Sequence, residues 1–133
     1  MTTPKVRRGR KAQDIAAKYA ADTHHWDTAT PAASAPGEDI SGIPGLSIEV
    51  KATGKLALPA ARRQAARNAA GRIPVVLWQP PREGEMTVRD WPAYLAWGDL
   101  LDLVAAARGQ TRSTPSNKTA AAMLRQALAL LDE

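Results

Sequence analysis

The chain has 133 residues, a net charge of +5 and a pI near 10.0, which favours one compact domain with a polyanionic partner over a multidomain assembly. The absence of cysteine excludes disulfides, thiolate metal sites and cysteine nucleophiles. No apolar run approaches the roughly 20 residues of a membrane span, and the basic N-terminus lacks the apolar stretch of a signal peptide. We therefore expect a soluble, cytoplasmic protein.

Two segments without acidic residues carry the surplus positive charge. Five basic side chains lie between Lys5 and Lys11, and five more lie between Lys55 and Arg72. Arginines on an alanine-rich helix can serve solubility alone, but blocks of one sign favour contact with nucleic-acid phosphates. The candidate DNA-contacting residues are Arg7, Arg8, Arg10, Lys11, Lys55, Arg62, Arg63 and Arg67.

The pattern of apolar and turn-forming residues predicts the order of the elements. Helical spacing predicts a helix from about Gly9 to Ala21, and a loop rich in Thr, Ser, Pro and Gly follows, with a short strand considered at His25–Thr28. A Gly-Pro-Gly turn then precedes a strand over Leu46–Ala52, in which apolar and polar residues alternate. The later elements are a helix over Pro59–Ala70, a buried strand over Ile73–Gln79, one or two strands within Met86–Trp97, a helix over Gly98–Arg108, a linker and a helix over Lys118–Leu131.

This order predicts an α/β fold with a small mixed central sheet flanked by helices. We expect one domain over residues 1–108 and a linker with a C-terminal helix over residues 109–133.

Glu49 and Lys51 lie two residues apart on the predicted strand, so their side chains share one face. Asp39 precedes the turn, and a hairpin there would place its carboxylate beside Glu49. Two carboxylates with the carbonyl of Val50 suit Mg²⁺ or Mn²⁺, and Lys51 would orient a water molecule or neutralise charge. The alternatives are a weak ion pair on a solvated strand face and an aspartate that only caps the turn near Ser41.

The segments GED and IEVK together resemble the PD-(D/E)XK nuclease motif. The segment RRGRKAQDIAAKYAAD is similar to the first helix of archaeal-type Holliday-junction resolvases, and RRQAARNAAGRIPVVLW is similar to the helix and strand that follow their catalytic strand. The resemblance covers roughly residues 7–108 and extends to small phage enzymes of this kind.

The resemblance implies a restriction-endonuclease-like fold and a Mg²⁺-dependent homodimer that cleaves four-way DNA junctions. It makes Asp39 and Glu49 metal ligands, Lys51 the catalytic lysine and Gln64 a helix residue that borders the site. Within the nuclease class, an enzyme acting on flaps or duplex DNA is an alternative. A catalytically inactive DNA-binding module of the same fold is another.

The chain departs from the family pattern at two places. Family members usually carry a first-helix glutamate four residues after the glycine, where this chain has Gln13, with Asp14 next to it as a candidate additional acid. Glu38 stands where the family has a proline before the first acid. Because neighbouring strand residues point to opposite sides, only one of Glu38 and Asp39 can point inward.

Other candidate residues have weaker support. His24 and His25 are adjacent, so they cannot share a helix face as a metal-binding pair, and we interpret them as loop residues. Ser34 or Thr30 is a candidate polar group in the loop before Asp39. No Walker A, G-x-S-x-G or dinucleotide motif is present, so no nucleotide cofactor is expected. Candidate dimer-interface residues are Leu100, Leu103, the region Trp91–Trp97 and the helix around Leu124–Leu131.

Overall fold

The computed structural model describes residues 4–31, 37–110 and 128. Its elements, in chain order, are α1 (Pro4–His24), β1 (Leu46–Lys51), α2 (Leu58–Arg67), β2 (Ile73–Trp78), a 3₁₀ helix (Glu85–Asp90), β3 (Ala93–Tyr94) and α3 (Trp97–Ala107). The strands form one mixed sheet in the order β1-β2-β3. The predicted α/β class, with a small mixed sheet and flanking helices, is confirmed.

The parallel pairing of β1 and β2 is the centre of the fold. Leu46 pairs with Ile73 at one end of the ladder and Lys51 pairs with Trp78 at the other. Parallel neighbours need a crossover connection, which α2 provides. The two-residue β3 then pairs antiparallel with β2, with Val76 opposite Tyr94.

Helices cover both faces of β1. Ile48 and Val50 pack in the main core cluster with the alanines of α1, among them Ala12 and Ala16. The polar face lies under α2, so that Ser47 and Glu49 are also buried. The alternative of a solvated polar strand face is therefore wrong.

Small side chains allow α2 to lie close to the sheet. Ala61 and Ala65 face inward and pack with Val76 in a second cluster. Pro59 lies in the first turn of the helix, where its missing N–H costs no hydrogen bond. This close approach brings the polar residues of α2 within hydrogen-bond distance of β1.

Three of the local predictions differ from the structure. The first helix begins at Pro4 rather than near Gly9 and continues to His24, because the basic residues at its start are good helix formers. The segment around Met86 forms a 3₁₀ helix instead of a strand, and its Val88 packs against the main core cluster. The short strand considered at His25–Thr28 is replaced by a single bridge between Ala29 and Ser41.

The predicted C-terminal helix over Lys118–Leu131 lies outside the described residues, apart from Leu128. This residue is helical and half-buried, and it packs against the main core cluster. Among the described residues, no helix has the length and apolar character needed to cross a bilayer.

Candidate active site

Asp39 and Glu49 come together because the segment before β1 pairs antiparallel with it. The backbone N–H of Asp39 donates to the Ile48 carbonyl at 2.8 Å, and Ile40 forms a bridge with Ile48. The carboxylate of Asp39 accepts a hydrogen bond from the backbone N–H of Val50, with 2.7 Å between Oδ2 and N. Asp39 therefore lies beside the strand as the hairpin predicts, and its carboxylate is bonded to β1 rather than to the turn.

The turn that reverses the chain requires glycine. Gly42 has φ +92° and Gly45 has φ +75°, both in the left-handed region. A Cβ at Gly42 would overlap the backbone carbonyl oxygen of Asp27. The turn is thus fixed both by its backbone conformation and by the loop packed against it.

Lys51 links the carboxylate of Glu49 to helix α2. Its Nζ lies 3.5 Å from Glu49 Oε1 and donates to Gln64 Oε1 at 2.9 Å. The side chain of Glu49 is 4% exposed and that of Lys51 is 29% exposed. The lysine therefore forms the boundary between the buried carboxylate and solvent, and Gln64 holds it there.

Asn68 is a site residue that the sequence analysis missed. Its side chain lies close enough to the carboxylate of Glu49 to lower the pKa of that group, and its backbone carbonyl accepts a hydrogen bond from Ser47 Oγ at 3.2 Å. Two strand residues span about 6.6 Å and four helix residues about 6 Å, so Gln64 and Asn68 match Lys51 and Glu49 along the strand. The i, i+4 spacing of the two amides, Gln64 in α2 and Asn68 at the C-cap of the helix, could have suggested this match.

Burial makes both carboxylates hard to ionise. Desolvation raises the pKa of Asp39, and the Val50 N–H and the charge of Lys51 oppose that shift. Burial and the nearby charge of Asp39 raise the pKa of Glu49, while Lys51 and the Asn68 side chain act to lower it. A cation between the two carboxylates would offset the desolvation penalty of their ionised forms and would reduce the repulsion between them.

The backbone carbonyl of Val50 lies on the same edge of β1 as Asp39. Ile48 and Val50 both bond to Asp39 from one edge of β1, whereas the Lys51 carbonyl accepts from Gln79 N on the opposite edge. Because N–H and C=O of one strand residue point to the same edge, the Val50 carbonyl is directed toward the Asp39 side.

Two carboxylates and one carbonyl fit Mg²⁺, which prefers oxygen ligands and keeps several of its waters. Within residues 4–31 and 37–110, no group of three or more His, Cys, Asp or Glu side chains is arranged to hold a metal ion.

The neighbouring acids lie apart from this pair. Asp14 is exposed and accepts a hydrogen bond from Thr30 Oγ1 at 2.9 Å, while Gln13 is half-buried. Glu38 forms an ion pair with Arg72, with 2.7 Å between Oε1 and Nη1. Of the two adjacent acids, Asp39 is therefore the one that reaches β1.

A groove of about 290 Å³ opens beside Lys51. Its polar lining comes from Lys51, Thr53, Lys55, Gln64 and Arg67. Two basic side chains and the candidate catalytic lysine thus share one concave surface, which suits a phosphate backbone.

The basic start of α1 lies at the same end of β1. Arg8 Nε donates to the carbonyl of Ala52 at 2.9 Å, and Arg8 lies beside Thr53, which also lines the groove. Arg7 and Lys11 are exposed. Arg10 is exposed too, and its Nη1 donates to the Pro31 carbonyl at 3.3 Å.

The other predicted DNA contacts lie elsewhere. Arg62 and Arg63 line a second groove, on the β2 side of α2. The interpretation of His24 as a loop residue is wrong, because His24 is the last residue of α1, where it stacks on Trp26 with ring centroids 4.8 Å apart. Ser34 is outside the described residues.

No family model, curated protein or solved structure matches the chain. The functional argument accordingly depends on the geometry of Asp39, Glu49, Lys51 and the groove beside them.

Proposed function

We propose that this protein is a metal-dependent DNA endonuclease of the PD-(D/E)XK type, and specifically a Holliday-junction resolvase. The observation that carries the proposal is the arrangement of Asp39, Glu49 and Lys51. The half-buried carboxylate of Asp39 and the buried carboxylate of Glu49, both with raised pKa values, lie beside a lysine that is held at the mouth of a basic groove. Such perturbed groups in a cleft are typical of functional sites.

The proposed roles follow from the contacts. Asp39 and Glu49, with the carbonyl of Val50, would hold Mg²⁺ or Mn²⁺. When bound, such an ion acts as a Lewis acid on the scissile phosphate and makes an attacking water more acidic. Lys51 is close enough to Glu49 to place its ammonium group beside the reacting phosphate and stabilise the developing negative charge. Gln64 is a positioning residue, because its hydrogen bond fixes the lysine Nζ.

The groove supports a DNA substrate. Lys55 and Arg67 flank Lys51, and Arg8 lies beyond Thr53. Contacts of this kind bind phosphates and hold the duplex in register without reading its sequence. Recognition by shape fits a branched substrate, and resolution of a junction by paired nicks fits a two-fold homodimer. An enzyme that acts on DNA in this way would work in the cytoplasm.

The test compares cleavage of a labelled four-way junction with cleavage of a linear duplex, in Mg²⁺ and in EDTA. We expect wild type to cut the junction only with Mg²⁺. We expect Glu49→Gln to lose activity by about 100-fold or more, since a metal ligand is removed. Asp22→Asn is the matched control, because Asp22 is an exposed acid that pairs only at the surface with Lys18.

Each other outcome has a definite meaning. Cleavage that survives both EDTA and Glu49→Gln would exclude the metal mechanism. Equal cleavage of duplex and junction would show that the protein is a duplex or flap endonuclease rather than a resolvase. Tight junction binding by wild type without any cleavage would identify an inactive DNA-binding module.

A further inference from the structure

A small cavity lies at the end of the sheet where both parallel strands stop. It has a volume of about 60 Å³ and is lined by Arg8, Thr53 and the segment from Gln79 to Glu83. Because β1 ends at Lys51 and its parallel neighbour β2 ends at Trp78, the cavity lies beyond the carboxyl ends of both strands. Open α/β sheets bind their ligands in this position.

The lining of the cavity carries two arginines from different elements. Arg8 belongs to α1, and its Nε donates to the Ala52 carbonyl at 2.9 Å, which fixes the guanidinium and leaves its two terminal nitrogens as further donors. Arg82 follows β2 and is exposed. Within residues 4–31 and 37–110, neither arginine forms an ion pair with a carboxylate. Glu83 is the one acidic residue of the lining, so the lining has a net positive charge.

The turn that carries Arg82 holds it in an uncommon backbone conformation. The N–H of Glu83 donates to the Pro80 carbonyl at 3.2 Å, which closes a four-residue turn with Pro81 second and Arg82 third. Arg82 has φ +68°, and a positive φ at the third position is typical of a type II turn, where glycine or asparagine is favoured. Glycine would adopt this conformation with less strain. Strained residues of this kind cluster at functional sites.

Gln79 anchors this turn to β1. Its backbone N–H donates to the Lys51 carbonyl at 2.8 Å, and its side-chain amide donates to the Glu83 carbonyl. The turn is therefore fixed relative to the candidate catalytic lysine. A positioned arginine binds an anion with a smaller loss of entropy than a freely moving one.

Thr53 connects the cavity to the groove beside Lys51. It lines both of them, so the basic lining of the groove continues into the cavity. About 10–15 Å³ admits one water molecule, so the 60 Å³ of this cavity admits about four atoms of that size. A phosphate group has four oxygens, and its size therefore matches the cavity.

We propose that this cavity, with Arg8 and Arg82, binds one phosphate of the DNA strand that enters the groove beside Lys51. The inference rests on the proposed function, since the DNA strand supplies the phosphate. Guanidinium groups donate parallel N–H bonds to phosphate oxygens, which makes arginine common where phosphates are recognised. The contact holds the strand in register past the candidate metal site without reading its sequence. Arg82 lies outside both acid-free segments, so charge patterning along the sequence does not identify it.

Fluorescence anisotropy of a labelled four-way junction, in EDTA to prevent cleavage, tests the proposal on the full chain. We expect Arg82→Gln to raise Kd about tenfold, as the loss of a hydrogen bond to a charged group does. The slope of log affinity against log salt should fall by about 0.9. Arg89→Gln is the matched control, because it removes the same charge from an exposed arginine that lines neither the groove nor the cavity. It should leave both values unchanged.

The outcomes separate this inference from the proposed function. A wild-type protein that does not bind the junction would refute both. A wild-type protein that binds it, with equal Kd values for Arg82→Gln and Arg89→Gln, would refute the phosphate site alone and leave the nuclease proposal standing.

Arg82→Gly distinguishes phosphate binding from a structural role. Because glycine accepts φ +68° more readily, this variant should weaken junction binding as much as Arg82→Gln does, while its urea midpoint stays at or above that of wild type. A lower midpoint would show that the arginine stabilises the turn and would overturn the proposal.

Double variants test whether the two arginines share one phosphate. Arg8→Gln combined with Arg82→Gln should raise Kd by clearly less than the product of the two single effects. Arg67→Ala combined with Arg82→Gln should give the full product, since Arg67 lines the groove and not the cavity. A full product for both pairs would contradict a shared phosphate.

Discussion

The buried ion pair between Glu49 and Lys51 predicts a strong asymmetry between its two partners. Lys51→Met leaves the carboxylate of Glu49 buried beside Asp39 without a counter-charge, whereas Glu49→Gln leaves a lysine that reaches solvent and keeps Gln64. At 3.5 Å the gross attraction is about 5 kcal/mol for an effective dielectric constant near 20. Removing one partner of a buried pair costs about 3–5 kcal/mol.

The expected losses of unfolding free energy follow from these exposures. We expect about 3 kcal/mol for Lys51→Met, at the lower end because Lys51 is 29% exposed. We expect less than about 1 kcal/mol for Glu49→Gln, since this change also removes the repulsion with Asp39. The double variant should resemble Glu49→Gln alone.

Urea unfolding in EDTA at pH 7 measures these differences. Lys18→Met is the matched control, because Lys18 pairs with Asp22 across i, i+4 with both side chains exposed, and such pairs contribute about 0.3–0.5 kcal/mol. Equal losses for Lys51→Met and Lys18→Met would refute the reasoning, and so would a double variant as unstable as Lys51→Met.

The pH dependence of the unfolding free energy of Lys51→Met tests whether the unpaired carboxylate of Glu49 causes the loss of stability. Burial and Asp39 raise the pKa of Glu49, and Lys51 lowers it, so removing the lysine raises this pKa further. A carboxyl whose pKa is higher in the folded state contributes its stability at low pH and loses it as the pH rises above the ordinary carboxyl range. The deficit of Lys51→Met should therefore shrink between pH 7 and pH 5. Mg²⁺ should restore this variant more than NaCl of equal ionic strength does.

Three further changes test the turn, the ion pair before Asp39 and the groove. Gly42→Ala should lower unfolding free energy by about 2 kcal/mol or more in urea titrations, because φ is +92° and a Cβ would overlap backbone. Arg72→Gln should destabilise by about 3 kcal/mol and weaken Mg²⁺ affinity measured by calorimetry, whereas Glu38→Gln should cost less, since it leaves no buried carboxylate unpaired. Arg67→Ala should reduce the slope of log affinity against log salt for junction binding by about 0.9, while Arg62→Ala, in the other groove, should leave it unchanged.

Local rules predict the central hairpin well. The alternation in Leu46–Lys51 and the glycines of the turn act over a few residues, so the strand and its pairing with the segment of Asp39 can be predicted from the sequence. The same rules fail for residues 85–90, where flanking prolines and glycine shorten the ordered segment and Val88 packs against the core. The packing of Val88 against the core, rather than the local residue pattern, determines the conformation of this segment.

The burial of the polar face of β1 under α2 depends on tertiary contacts, which cannot be read from sequence patterns. Alternation predicts that Glu49 and Lys51 share a face, but it cannot tell whether that face meets water or a helix. The answer depends on how closely α2 approaches through Ala61 and Ala65. Asn68 could be found only after this helix was placed against the strand, since its contact with Glu49 is fixed by the register between the two elements.

The arginines of the second basic segment have two different roles in the structure. Arg72 belongs to the same acid-free segment as Arg67, yet it is half-buried and paired with Glu38, with hydrogen bonds to two backbone carbonyls. Thirty-four residues separate this pair along the chain, so no local pattern predicts it. Glu38 is held toward Arg72, while the carboxylate of the next residue, Asp39, accepts a hydrogen bond from the Val50 N–H of β1. One arginine of the segment thus anchors the residue next to Asp39, and another lines the groove where DNA would bind.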